Sequence, residues 1–166
     1  EIPMHRRVVL SALAATLASA AIPSRADVRA PIRWSDIRLV DGRTLKASEL
    51  QGRTVVVEYW ASWCPFCMKQ NPFIEKLHRQ AGGDNLRVLT FTIDKTEQAA
   101  RDYLAKHGYT FAAAMAGPQS EAWFGRRRGL PEVHVVDPAG RIVFSEIGEM
   151  FEEDIAALAR FAARSH

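Results

Sequence analysis

The run Thr54-Val55-Val56-Val57-Glu58-Tyr59-Trp60 is β-branched and almost unbroken in its apolar character, and it leads within a few residues into Cys64-Pro65-Phe66-Cys67. Such a run reads as a central strand buried on both faces. The segment after it has helical periodicity. A helix is predicted from near Cys64 to about Arg79, ending before Gly82-Gly83, with Pro72 inside it as a kink because proline removes a backbone donor and crowds the preceding turn.

Around this strand–helix unit the other elements alternate. Residues 36–40 and 43–45 flank Asp41-Gly42, a dipeptide that favours a type I′ hairpin. Residues 86–93 read as a strand, and Thr96-Glu97-Gln98 caps a helix that runs to His107 and stops at Gly108. A short strand over 109–113 and a short helix over 120–124 come next. Residues 133–137 and 141–146 flank Pro138-Ala139-Gly140 as a second hairpin, and 152–163 closes the chain as an amphipathic helix with Ile155, Leu158, Ala159 and Ala162 on one face. The order predicts an α/β fold with a mixed central sheet flanked by helices.

Cys64 and Cys67 are the only cysteines among 166 residues. A disulfide across so short a gap closes too small a loop to restrict the unfolded chain much. The pair is better placed to open and close than to staple, which points to redox chemistry. A thiol attacks as its thiolate. Cys64 falls at the predicted helix start, where unpaired backbone N–H groups and the helix dipole favour negative charge. Cys67, one turn further in and more buried, is expected to stay protonated until it acts. The implied reaction is thiol–disulfide exchange: Cys64 attacks a partner disulfide, then Cys67 attacks Cys64 and frees the reduced partner. Glu58 is the lone charge in its apolar run. It is expected to be desolvated, with a raised pKa, and so suited to pass a proton to or from Cys67. The alternative for Glu58 is a strand-end carboxylate facing solvent.

The N-terminus has the three parts of a secretory signal: His5-Arg6-Arg7, the apolar stretch 8–21, and Ser24-Arg25-Ala26. Cleavage is expected after Ala26, with Ala20 or Ala21 as the alternative. Glu1-Ile2-Pro3 ahead of Met4 reads as a gene-model extension. The apolar stretch falls short of the ~20 residues that span a bilayer, and a retained membrane anchor is the alternative. The expected organisation is a leader over 1–26 and one domain over 27–166. Removing the leader deletes three arginines and one glutamate, so the formal charge of +3 falls to +1. The basic balance therefore gives no argument for a nucleic-acid partner. Export, expected to the periplasm, places the two thiols where disulfides form and persist.

Trp60-Ala61-Ser62-Trp63-Cys64-Pro65-Phe66-Cys67 resembles the thioredoxin-fold active-site signature. Pro72, five residues after the second cysteine, resembles the helix-kinking proline of that fold, and Glu58 falls where thioredoxin carries its buried aspartate. Gly129-Leu130-Pro131 before a strand is similar to the cis-proline loop that faces the disulfide. With the leader, the N-terminal hairpin and the helix–strand insertion over 96–113, the chain resembles the TlpA-like exported thiol–disulfide oxidoreductases, a group that includes reductases of cytochrome c maturation. The resemblance covers about residues 32–162. It implies a thioredoxin-like fold, Cys64, Cys67 and Glu58 as catalytic residues, and no cofactor beyond the redox-active disulfide. Trp63, Pro65, Phe66, Leu130 and Pro131 are implied as substrate contacts, the backbone of Leu130 pairing with an extended partner peptide. Exported protein disulfides are the implied substrates of a monomer, and a membrane thiol carrier the electron donor.

Two departures stand out. Many exported reductases of the group carry glutamate three residues after the second cysteine, where this chain has Gln70, and asparagine where it has Glu58. The acid has changed sides of the site. Glu132, just after the implied cis-proline, puts a bulky charge close to the partner groove. Strongly oxidising relatives place histidine just before the second cysteine, where it stabilises the thiolate. Phe66 offers no charge there, so a more reducing couple than DsbA-like oxidants is expected.

A second functional class is a periplasmic copper carrier that grips metal through Cys64, Cys67 and one of His78, His107 or His134. None of these histidines has ligand-like spacing to the cysteines, and a structural zinc site would show four ligands, so no metal site is predicted. A peroxidase of the peroxiredoxin kind would want different residues around its cysteine than Trp63-Cys64-Pro65. Arg126-Arg127-Arg128 is the sharpest charge run, either rimming the active face or forming a solvated loop.

Overall fold

A computed structural model of the chain describes residues 30–81, 83 and 85–164. The expected leader and Gly82 lie outside the described residues. The hairpin strands β1 (Ile37–Arg38) and β2 (Thr44–Leu45) precede β3 (Thr54–Trp60), α1 (Pro65–Ala81), β4 (Leu86–Thr92), α2 (Glu97–His107) and β5 (Ala112–Met115). Then come α3 (Pro118–Phe124), β6 (Glu132–Val136), β7 (Ile142–Ile147), α4 (Glu152–Ala157) and a 3₁₀ segment, Leu158–Arg164. The main sheet has the order β5-β4-β3-β6-β7. β3 pairs in parallel with β4 and antiparallel with β6, so the sheet is mixed and β3 is its centre. Every residue of β3 is buried, as its unbroken apolar run requires.

Alternation along β3 divides the core. Val56 and Trp60 face α1, packing with Ile74, Leu77, Val88, Val133 and Val135. Val55, Val57 and Tyr59 face the opposite layer, with Ile37, Leu39, Leu50, Phe91 and Phe124. Glu58 shares the face of Val56 and Trp60 and is fully buried beneath α1.

Several local expectations are corrected. No non-glycine residue among those described has positive φ, so Asp41-Gly42 is not a type I′ turn. Gly42 N–H instead donates to Leu39 O at 3.0 Å and Asp41 Oδ1 accepts from Arg43 N–H at 2.9 Å. Asp41 is thus a turn residue and Gly42 (φ 88°) supplies the left-handed step after it. The strand expected over 109–113 begins only at Ala112. The backbone N–H groups of Thr110 and Phe111 are taken by the Glu75 carboxylate of α1 at 2.8 and 3.2 Å, and Tyr109 stacks on Phe111 beside the sheet. The closing helix is α-helical only to Ala157. It then tightens into 3₁₀ turns, where the Phe161 carbonyl accepts from the Thr54 hydroxyl at 3.3 Å.

Candidate active site

β3 delivers the chain to the start of α1, and the short link between them is fastened from outside. Asp94, buried just past β4, accepts the Ser62 hydroxyl at 2.7 Å and the Ser62 N–H at 3.2 Å, and also takes the Thr92 hydroxyl at 2.7 Å. Ile93 N–H donates to Trp60 O at 3.0 Å. These bonds fix where Cys64 emerges.

Cys64 occupies the capping position of α1. Its carbonyl accepts Met68 N–H at 3.0 Å, the first turn of the helix, and Pro65 stands at the first helical position, where a missing donor costs nothing. Its sulfur does what a capping oxygen does elsewhere: Cys64 Sγ accepts the Cys67 backbone N–H at 3.3 Å. Negative charge on that sulfur meets an N–H donor and the positive end of the helix dipole. The two sulfurs are not bonded to each other in this structure. Cys64 is 4 % exposed and Cys67 is sealed, so the first sulfur is the one nearer solvent. Burial, then the contact with the Cys64 sulfur, pushes the Cys67 thiol far above the ordinary cysteine range, and the Glu58 charge adds to this.

Glu58 lies on the same buried face. Its Oε1 accepts the Gln70 side-chain amide at 2.7 Å, and Gln70 Oε1 in turn accepts Met150 N–H at 2.7 Å. With the Asn71 amide oriented so that both its ends are satisfied, that amide donates to Glu58 Oε2 at 3.2 Å and to Cys67 O at 3.1 Å and accepts from the Tyr103 hydroxyl at 3.2 Å. Burial pushes the Glu58 carboxyl up to about 8, against the lowering effect of Gln70. The solvent-facing alternative for Glu58 is therefore wrong.

The Leu130-Pro131 peptide bond is cis. Antiparallel pairing sets Glu132 opposite Tyr59, which brings Pro131 to the end of the sheet where β3 runs into Cys64. Gly148 N–H donates to Pro131 O at 2.9 Å and holds that loop from the other side. Trp63 (63 % exposed) and Phe66 (49 %) stand out around the nearly buried Cys64. That is an apolar surface next to the sulfur, and Pro65 is exposed within it.

The remaining candidates are scattered. His78 lies half-buried along α1, His107 stacks on Tyr109 at the end of α2, and His134 is buried on the sheet face opposite α1. Among the described residues no group of three His, Cys, Asp or Glu side chains could hold a metal ion. Sequence reasoning weighed Gln70 only as a departure from a pattern and missed Asn71 and Asp94. Helical spacing from Cys67 was the available signal, since positions three and four further along share its buried face.

The Redoxin family model matches residues 25–159. The thiol-disulfide oxidoreductase ResA of Bacillus thuringiensis (strain Al Hakam) is 23 % identical over 116 residues, covering 70 % of this chain and 67 % of that protein. The thiol:disulfide interchange protein DsbE homolog of Paracoccus denitrificans is 31 % identical over 100 residues, 60 % of this chain and 53 % of its own, so the chain spans about half of that relative. Among solved structures, a thioredoxin-family thiol:disulfide interchange protein from Chlorobium tepidum TLS superposes with a TM-score of 0.71 at 20 % identity, over 81 % of this chain and 97 % of that one. StoA from Bacillus subtilis gives 0.66 at 17 % identity, over 78 % and 98 %. The structural likeness at these identities carries the thioredoxin-like fold, and the family match carries the lineage: this chain belongs to the Redoxin family, as a TlpA-like thiol–disulfide oxidoreductase.

Proposed function

We propose that this protein is a periplasmic disulfide reductase for exported proteins, apocytochrome c among the candidate clients, with Cys64 as nucleophile and Cys67 as resolving thiol. The observation that carries the proposal is the capping geometry, in which Cys64 Sγ faces the Cys67 N–H at the start of α1. The Cys64 thiolate attacks one client sulfur. A Cys64–client bond forms, the client disulfide breaks, and the displaced client thiolate takes up a proton. Cys67 then loses its proton to Glu58 and attacks Cys64 Sγ. The Cys64–Cys67 disulfide forms and the second client thiolate leaves. The client gains two electrons and the enzyme is left oxidised, so an external dithiol, here a membrane thiol carrier, restores it.

Glu58 fits the role of proton acceptor because burial sets its carboxyl near neutrality, where it can both take and return a proton. Trp63 and Phe66 supply apolar contact for the client, and the Leu130-Pro131 loop supplies backbone beside the sulfur. No cofactor enters this scheme. Copper carriage is a separate reading, and among the described residues no third donor joins the two sulfurs to support it.

Trapping tests the assignment. Cys67→Ser, incubated with a disulfide-bonded client, is expected to accumulate a mixed disulfide on Cys64 that ordinary reductant releases. Cys64→Ser should trap nothing. Equal trapping on either cysteine would overturn the division of labour.

A further inference from the structure

On the sheet face opposite α1 lies a cavity of about 440 Å³ whose lining includes neither cysteine. Register explains its floor. Val133 and Val135 point toward α1, so Glu132 and His134 point the other way. His134 is 4 % exposed. Its Nδ1 is hydrogen-bonded to Ser145 Oγ at 2.7 Å, and its ring stacks on Phe124 at 5.0 Å and 17°. Trp123 and Ile142 complete an apolar wall.

Arginines line the same cavity. Arg126 and Arg128 come from the segment after α3, and Arg141 from just before β7. Among the described residues Arg126 has no carboxylate partner. Arg128 Nε lies 3.7 Å from Glu132 Oε1, and Arg141 Nη2 lies 2.9 Å from Asp137 Oδ2. Each guanidinium has five N–H donors, so these contacts leave donors to spare on all three. The one carboxylate in the lining, Glu132, is 3 % exposed and its Oε2 is taken by Arg128 N–H at 2.8 Å. The volume falls within the range of small-molecule sites, which combine an apolar wall with a few convergent polar groups.

We propose that this cleft is a binding site for a small organic anion with a flat apolar body, the anionic group on the arginines and the body on Trp123 and Phe124. A concavity of this volume with an aromatic wall suits a compact ligand better than an extended acidic segment. Guanidinium groups favour carboxylate, sulfonate and phosphate alike, because their paired N–H groups match two oxygens at once. The site is independent of the redox assignment.

The test is an NMR titration of the whole protein with 2-naphthalenesulfonate, compared with its neutral counterpart 2-naphthalenesulfonamide. Saturable shifts are expected at the Trp123 indole and at the amides of Arg126, His134 and Ile142. The sulfonamide should bind about tenfold or more weakly, as should the sulfonate to Arg126→Glu or Arg141→Gln. The unliganded spectra of both variants, unchanged away from the cleft, certify that they fold. Shifts centred on Trp63 and Phe66, equal binding of the two probes, or no saturation would each overturn the proposal.

Discussion

Glu58 should make this protein lose stability as pH rises through neutrality, against the common pattern for carboxylates. In the unfolded chain its carboxyl titrates near 4.5, whereas burial holds it at about 8 in the fold. Between those values the folded state binds more protons than the unfolded one, so unfolding free energy falls with increasing pH. The slope approaches about 1.4 kcal/mol per pH unit, and from pH 5 to pH 8 the loss amounts to about 3 kcal/mol. That is a large share of the roughly 5–15 kcal/mol that holds a domain together. The perturbation is Glu58→Gln, which removes the titration. Its amide nitrogen must face the donor of Gln70 or Asn71, a pH-independent penalty, so the slope and not the level is diagnostic. Urea unfolding at half-unit steps from pH 5 to 8, with the cysteines kept reduced, reads the effect. Urea sensitivity of about 1–3 kcal/mol per molar turns the loss into a midpoint shift of about 1–3 M for the unsubstituted chain and almost none beyond background for the variant. His78, whose pKa burial lowers, acts in the opposite sense below about pH 6.5, and subtracting the two curves cancels it. Parallel curves across the window would refute the reasoning, because they would mean that Glu58 is ionised in the fold at no cost.

Three other perturbations have expected outcomes. Gln70→Leu deletes the donor to Glu58 and strands Met150 N–H; a loss of about 1–3 kcal/mol in urea unfolding at pH 6 is expected, and the pH at which the Cys67-driven step accelerates should rise. Redox equilibration with glutathione should place the unsubstituted couple below about −200 mV, with Phe66→His shifting it upward by roughly 30 mV or more; a value near −120 mV for the unsubstituted chain would make it an oxidant. Gly140→Val forces a side chain onto a backbone at φ +84°, with a Cβ 2.5 Å from Ile32 O, and should cost about 1–3 kcal/mol in thermal or urea unfolding without changing the cysteine couple.

What was legible in the sequence was legible for local reasons. β3 ends where its apolar run ends, since a strand buried on both faces tolerates no polar residue without a partner. α2 carries both punctuation marks: Thr96 Oγ1 accepts Ala99 N–H at 3.2 Å, and Gly108 takes the left-handed position at φ 68°. The misplaced β5 shows the opposite case. Its local pattern allowed an earlier start, but Glu75, a residue of α1 35 positions from Thr110, takes the amides that a sheet neighbour would have used. A distant side chain decides that boundary, and no local pattern shows it.

The site divides the same way. The cysteine spacing, the helix start and the lone charge in β3 could all be read along the chain, but the partners of that charge could not. Gln70 and Asn71 look like ordinary polar residues of a surface helix until spacing from Cys67 puts them on the buried stripe. Even then, spacing alone does not orient an amide. Gln70 is oriented by Met150 N–H, which claims its oxygen and turns its nitrogen toward Glu58. Met150 lies two residues past Gly148, whose N–H holds Pro131 O. One short segment after β7 therefore fastens both the cis-proline loop, at the end of the sheet where β3 runs into Cys64, and the amide bonded to the buried acid. Under the proposed mechanism, a change in that segment would reach client contact and proton transfer together, although it contains neither cysteine.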